Sequence, residues 1–352
     1  TTPAARLDAI REWDALRREI DAWQALTHLH FNQDTRNETY RQRREYCDEL
    51  SPQLTRLNVA FKRRLLESPH RGELTEALGA QAFALWEADV TTFDPAIEQD
   101  LVQESKVEAE YVERLSNAKI SFRGEELNLP EIRKHATGPD RATRHEAEQA
   151  RWTWFAENGD ALDRLFGDLV RLRTGMARRL GFESYVGLGY KRMQRVDYDA
   201  ADVARFRDQV REHVVPLGAQ LRRKQAARLG IDRLRYWDEA VHDPLGNPEP
   251  LGDHDWMLAR AQEMFEAMHP DLDCFFRMMQ ERGLLDLSSR AGKADGGFCT
   301  GFPDWGLPFI FANFNGTKAD VEVFTHESGH AFQFHRSGDA QLLDYVWPTT
   351  ES

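Results

Sequence analysis

The strongest constraint in this sequence is a helical period that runs through its first third with almost no strand signal. Between Pro3 and about Ala118, apolar residues recur at three and four spacings, as in Leu7, Ile10, Trp13, Leu16, Ile20 and Trp23, with charged residues between them. Each such segment has one apolar face and therefore needs partner helices to cover it. Turn residues or proline at Asn32-Gln33-Asp34, Ser68-Pro69 and Asp94-Pro95 disfavour helical continuation, so an antiparallel helical array is expected. A small hairpin should follow, with Lys119–Phe122 and Glu126–Leu129 flanking a turn at Arg123-Gly124-Glu125. Helical periodicity resumes over 139–158, 160–180, 200–228 and 254–283, with Gly181, Gly230 and Pro270 as stops or breaks. No internal repeat or low-complexity linker is present.

Composition changes near residue 291. Ala291 to Gly316 is dense in glycine and proline, which argues loops and turns, and only Pro308–Phe314 within it reads as a strand. Asn315-Gly316-Thr317 turns the chain, and Thr317 with Asp320 forms the S/T-x-x-D/E start of a helix that should run to about Arg336 and stop before Gly338. The fold class expected is mainly α. A helical N-terminal lobe over 1–175 precedes a region over 176–352 that holds a small β-sheet beside the last helix.

Charge and cysteine content exclude several functions. Across 352 residues, 46 basic and 59 acidic side chains leave a formal charge of -13, which repels phosphate backbones and anionic lipid, so neither nucleic acid nor membrane is an expected partner. Cys47, Cys274 and Cys299 are odd in number and far apart, so no disulfide framework or thiolate zinc site is encoded. With no long apolar run and a charged first segment, a cytoplasmic location is expected. The chain starts at Thr1 without methionine and stops at Glu351-Ser352, from which cutting or processing of one or both ends is expected.

The chemistry is concentrated in His326-Glu327-Ser328-Gly329-His330, an HExxH pattern on the last helix. Four residues advance a helix by about 400°, so His326 and His330 project from one face and can share a tetrahedral zinc. Glu327, next to them, is placed to take a proton from a metal-activated water attacking a carbonyl. Gly329 leaves room for close packing on the metal face. A metzincin would need glycine at 333 and histidine at 336, but Gln333 and Arg336 stand there. His335 is about 180° around the helix from His326 and is no substitute. A glutamate from a following helix remains the common solution for a third ligand, and Glu351 is the only one after the motif.

These residues resemble a family. The HExGH motif, the preceding FANFNGT segment and the stretch from Leu162 to Asp243 are similar to the M3 metallopeptidases, specifically the oligoendopeptidase F branch, over roughly residues 115 to 352. The resemblance implies a zincin-like, mostly helical metallopeptidase with zinc deep in a cleft between two lobes and activity on short oligopeptides. It implies one Zn2+ bound by His326 and His330, Glu327 as the base, and a third ligand just past Ser352, so that a C-terminal remainder of the same enzyme is an expected partner. Loss of that remainder should expose Val323, Phe324, Phe332 and Phe334 of the zinc helix. The resemblance also supports the strand at 309–313, with Phe311, Ala312 and Asn313, as the edge that binds an extended peptide.

Other features carry plainer readings. The Trp305 loop, with Gly296, Gly297, Gly301 and Gly306, reads equally as a mobile flap or a structural loop. Cys299 reads as a small buried hydrophobe. His28 and His30, two apart, cannot face one metal, and the acidic run from Glu104 to Glu113 reads as a solvated helix face. Rival functions are a zinc carboxypeptidase or aminopeptidase on a similar frame, and a metal-free helical peptide-binding protein.

Overall fold

A computed structural model of the chain describes residues 2–347. The array begins with α1 (Pro3–Gln33) and α2 (Glu38–Leu66), which start at side-chain caps from Thr2 and Asn37, and continues through α3 (Arg71–Leu78), α4 (Ala80–Thr91) and α5 (Glu98–Ser116). The three expected breaks separate these helices. A fourth, at Gly79, escapes the periodicity: its φ of 93° is left-handed, and Tyr345 Oη would sit 2.9 Å from an added Cβ. The hairpin forms as β1 (Ile120–Phe122) and β2 (Glu125–Leu127), and it packs with α6 (Leu129–Ala136) and α7 (Arg141–Glu157) through Ile120, Ile132 and Ala147. Next come α8 (Gly159–Arg179), the short α9 (Tyr185–Arg192), α10 (Ala200–Gln209), α11 (Val215–Arg228), α12 (His254–Met268) and α13 (Pro270–Glu281). Gly181 and Gly230 take left-handed φ values where α8 and α11 stop. The segment 200–228 is not one regular helix: Val210–Val214 forms a π turn just before Pro216, which cannot donate a backbone hydrogen bond. Residue 175, the expected lobe boundary, lies inside α8, and α1 contributes to the core beneath the sheet.

The region from 285 to 316 holds more regular structure than its glycines suggest. Besides β5 (Leu307–Phe314), strands form at β3 (Leu285–Ser288) and β4 (Phe298–Phe302); β4 lies within 291–316, so the expectation of a single strand in that stretch is corrected. The sheet order is β3-β5-β4, with β3 parallel and β4 antiparallel to β5. Glycine density hid β4 because two of its glycines answer packing rather than turns. A Cβ at Gly301 would lie 2.1 Å from the Phe334 ring, and one at Gly297, just before the strand, 2.9 Å from Val323. The Trp305 loop is the short Pro303–Gly306 connection of the β4–β5 hairpin, closed by Trp305 N donating to Phe302 O at 3.0 Å.

The main core gathers Ala22 and Leu29 of α1, Phe275, Phe276 and Met279 of α13, Phe309–Ala312 of β5, and Phe324 and Ala331 of the last helix, α14 (Lys318–Ser337). The acidic run on α5 is not simply a solvated face. Glu104 is buried and bonds Arg173 Nε at 2.6 Å and Arg192 Nη2 at 2.9 Å, Glu108 pairs with Arg173, and Glu113 pairs with Arg41. Burial alone would raise the Glu104 pKa; the arginines more than offset it and hold it below the usual value. Among the described residues no helix is long and apolar enough to cross a membrane. We expect Gly301→Val to lower stability by roughly 1–3 kcal/mol, because the new side chain must displace the Phe334 ring, and urea unfolding measures the loss.

Candidate metal centre

The site is built outward from β5. Its apolar run Phe309-Ile310-Phe311-Ala312 suits a strand covered on both faces, and it delivers the chain through Asn315-Gly316-Thr317 into α14. The helix start differs from the expected capping box. The Thr317 side chain makes no cap bond and donates instead to Asn315 Oδ1 at 2.8 Å. Asp320 reaches back over the turn, accepting from Asn315 N at 3.1 Å and Gly316 N at 2.7 Å, while Asn315 Nδ2 ties the turn to Pro130 O at 2.9 Å. Burial pushes the Asp320 carboxyl up despite these donors.

Phe324, Ala331 and Phe334 anchor α14 on the sheet, which turns Val321, Thr325, His326 and Gly329 outward. Phe324 and Phe334 are buried by this chain's own Phe276, Phe314 and Gly301, so the expectation that these two depend on a later segment is corrected; Val323 and Phe332 pack on the core but stay half-buried. On the outward face, the Nε2 atoms of His326 and His330 point at each other, 2.9 Å apart, with their rings nearly perpendicular. Two imidazoles on a tetrahedral zinc at about 2.0–2.1 Å hold their nitrogens roughly 3.3 Å apart, so the pair fits a shared ion after a small ring rotation. An added Cβ at Gly329 would meet nothing within 4 Å, leaving that face open.

Glu327 turns the other way, toward β4. It is 7 % exposed, and its carboxylate faces the backbone N–H of Cys299. Burial raises its pKa, against the pull of His326, His330 and that N–H. Among the described residues no third histidine, cysteine or carboxylate completes a metal-binding group, and Glu351 lies outside them. His335 stacks near Phe275, away from the pair.

The expected peptide edge is corrected. β5 is the middle strand, Phe311 and Ala312 are fully buried, Ala312 O accepts from Lys293 Nζ at 2.6 Å, and Asn313 Nδ2 is bonded to Ala294 O and Gly296 O. The free edge belongs to β4. Ile310 N donates to Leu284 O beside β3, so Ile310 and Pro308 present their backbone groups to β3 and form non-bonded pairs with Cys299 and Gly301. The N–H and C=O groups of Cys299 and Gly301 therefore point away from β5. They border a cleft of about 990 Å³ whose opposite wall is α1 and α2, including Ile20, Asp21 and Asn58. The signal for β4 was the alternation of large and small residues in Phe298-Cys299-Thr300-Gly301-Phe302.

A mainly helical body with an HExxH helix laid on a small sheet whose edge strand faces a cleft defines the zincin-like metallopeptidase class. The model for the Peptidase M3 N-terminal domain matches residues 1–93 and that for Peptidase family M3 matches residues 135–245 and 261–351, and the chain belongs to peptidase family M3. Solved structures agree. The chain superposes with a TM-score of 0.97 on a protein from Bacillus anthracis str. Ames assigned as oligoendopeptidase F, at 38 % identity over 99 % of this chain and 64 % of that one. It superposes equally well on PZ peptidase A with an inhibitor, at 40 % identity over 99 % of this chain and 62 % of that one. A further structure assigned as oligoendopeptidase F gives 41 % identity and a TM-score of 0.97, over 99 % of this chain and 62 % of that one. The chain thus spans less than two thirds of these proteins. Among curated proteins no match is found.

Cys299 lies at the heart of this geometry yet is no nucleophile: burial, with Glu327 adding to it, pushes its thiol up to about 12. At pH 8 its thiolate fraction is of order 10⁻⁴. Iodoacetamide at pH 8 should therefore label exposed Cys274 and spare Cys299 and buried Cys47, as peptide mass spectrometry will read.

Proposed function

We propose that this chain is the metal-bearing part of a zinc-dependent endopeptidase that hydrolyses short oligopeptides. The observation that carries the reading is the joint placement of His326 and His330 Nε2 on the open face of α14 and the Glu327 carboxylate at the free edge of β4. His326 and His330 would hold the zinc, which when bound polarises a carbonyl and acidifies water. The two imidazoles are held by one helix, one turn apart, and need only a small ring rotation to face the same point.

Glu327 is the proton carrier. Its carboxyl accepts the proton of the attacking water and returns it to the leaving amine, and a pKa raised by burial brings its basicity closer to neutral pH. The Cys299 N–H orients the carboxylate. An extended substrate pairs with the outward groups of β4, antiparallel or parallel, and its side chains reach into the cleft toward α1 and α2. A cleft wall of this kind admits a flexible peptide and excludes a folded domain. The net charge of -13 and the three free cysteines support a cytoplasmic setting with no nucleic-acid or membrane partner.

The described residues supply two metal ligands; the family resemblance places the third, a glutamate, just past Ser352, in the C-terminal remainder we propose as this chain's partner, with Glu351, outside the described residues, as the alternative. On that reading residues 1–352 alone bind zinc weakly and hydrolyse no peptide, and adding the downstream segment restores both.

Two measurements test the core assignment in the full-length protein. Glu327→Gln should retain zinc while kcat falls roughly 100-fold or more, because the amide keeps the shape but cannot accept a proton; retention of most of the turnover removes Glu327 from this role. His326→Ala should lose the metal itself, read as zinc stoichiometry. Cleavage of a peptide blocked at both ends distinguishes an endopeptidase from an exopeptidase, which needs a free terminus.

A further inference from the structure

After α14 the chain does not leave the body. From Gly338 to Val346 it runs back as a strap across the N-terminal helices, held by polar side chains of α1 and α2 and by backbone groups of α3 and α4. Arg18 donates to Gly338 O at 3.2 Å and Ala340 O at 2.8 Å, and Leu343 N donates to Asp14 Oδ1 at 2.9 Å. Leu342 is buried against Ile10, Leu74 and Trp86. Tyr345 Oη donates to Leu78 O at 2.7 Å and accepts from Ala82 N at 3.0 Å, in the gap that Gly79 keeps open.

The centre of this fastening is ionic and closed to solvent. The Asp344 side chain is 3 % exposed, and it accepts from Arg17 Nη2 at 2.6 Å and from Lys62 Nζ at 3.4 Å. Asp14 also bonds Arg17 and Arg18, and Asp89 also bonds Lys62. Three carboxylates thus meet three cations. Burial would raise the Asp344 carboxyl, but Lys62 and Arg17 more than offset it and bring it down to about 2. An apolar contact of the same volume would hold a strap as firmly; what a buried charged set adds is a single permitted register.

That register matters because of where the strap ends. Three residues past Asp344, Trp347 lies against the metal helix, its ring 6.1 Å from His330 and 5.8 Å from Phe334, and Gln333 Nε2 bonds Val346 O at 3.1 Å. We infer that Asp344 is a positioning residue: by locking the strap to α1 and α2 it sets Trp347 beside His330 and so holds that imidazole in its metal-binding orientation. The N-terminal helices thereby act on the metal centre without touching it. This inference rests on the proposed metal reading of His326 and His330.

Zinc affinity of the full-length protein, measured by competition with a chelating dye, tests it. Asp344→Asn and Trp347→Ala should each weaken zinc binding about tenfold or more, in the range seen when groups supporting a ligand are lost. The double variant should be no weaker than the stronger single, because both act through one contact. Zinc binding by Asp344→Asn within twofold of wild type, or losses that multiply in the double variant, overturns the inference. Should Asp344→Asn fail to fold, Trp347→Ala decides alone, and unchanged affinity overturns it. A wild-type protein that binds no zinc overturns the metallopeptidase reading, and this inference with it; zinc bound normally by both wild type and the variants overturns this one only.

Discussion

β5 is enclosed on every side, and the placement of the site follows from that enclosure. β3 takes one edge and β4 the other, and Phe276 of α13 and Phe324 of α14 join the core that covers its faces. Burying Phe309, Ile310 and Phe311 is worth roughly 1.5–3 kcal/mol each. Because β5 is central, β4 is an edge of the sheet, and it is the edge that borders the cleft facing α1 and α2. Because α14 spends Phe324, Ala331 and Phe334 on that core, His326 and Gly329 are left on its open side, while Glu327, one residue round, points at β4. The separation of metal pair and carboxylate is thus a consequence of which face of α14 the sheet consumes.

The sheet also contains a charge. Between Asp286 and Ser288 the pairing of β3 with β5 shifts, and Lys293 fills the irregularity, its Nζ donating to Asp286 O, Ser288 O and Ala312 O at 2.6–3.0 Å and to Asp286 Oδ1 at 2.9 Å. Burial pushes the Lys293 amine down to about 8. Asp286, which burial would raise, is drawn down to about 2 by hydrogen bonds from Arg290, Lys293 and Gln33. Such an ammonium satisfies carbonyls that no strand reaches, so it completes the ladder where backbone pairing fails. Its contact with Ala312 O is one reason β5 has no edge to offer a peptide.

Local periodicity made the helices legible. Leu7, Ile10, Trp13 and their successors report a face that any helical packing must bury, and HExxH reports a spacing that is itself geometry. What stayed hidden depends on contacts distant in sequence. Gly301 reads as a turn residue until Phe334 is seen lying over it, thirty-three positions later. Phe309–Asn313 reads as an available edge because nothing local says that Leu285–Ser288 will pair beside it. The acidic α5 reads as solvated because its arginine partners, Arg173 and Arg192, sit on other helices. In each case the local reading was chemically sound and the tertiary partner changed its meaning.

Two polar groupings near the end of the chain show how charge is used for opposite purposes. Asp344, Asp14 and Asp89 are each paired with a cation of α1 or α2, which suits a fixed joint. On α14 the two imidazoles, among the described residues, hydrogen-bond to each other, and Glu327 faces the backbone N–H of Cys299 at the edge of β4. His326 is exposed and His330 half-buried, so their remaining bonding capacity faces outward at little cost. The joint lies between the N-terminal helices and the imidazoles, so rigidity is concentrated just where the open site needs a fixed wall. The paired charges around Asp344 hold the frame, and the imidazoles beside it keep a face open.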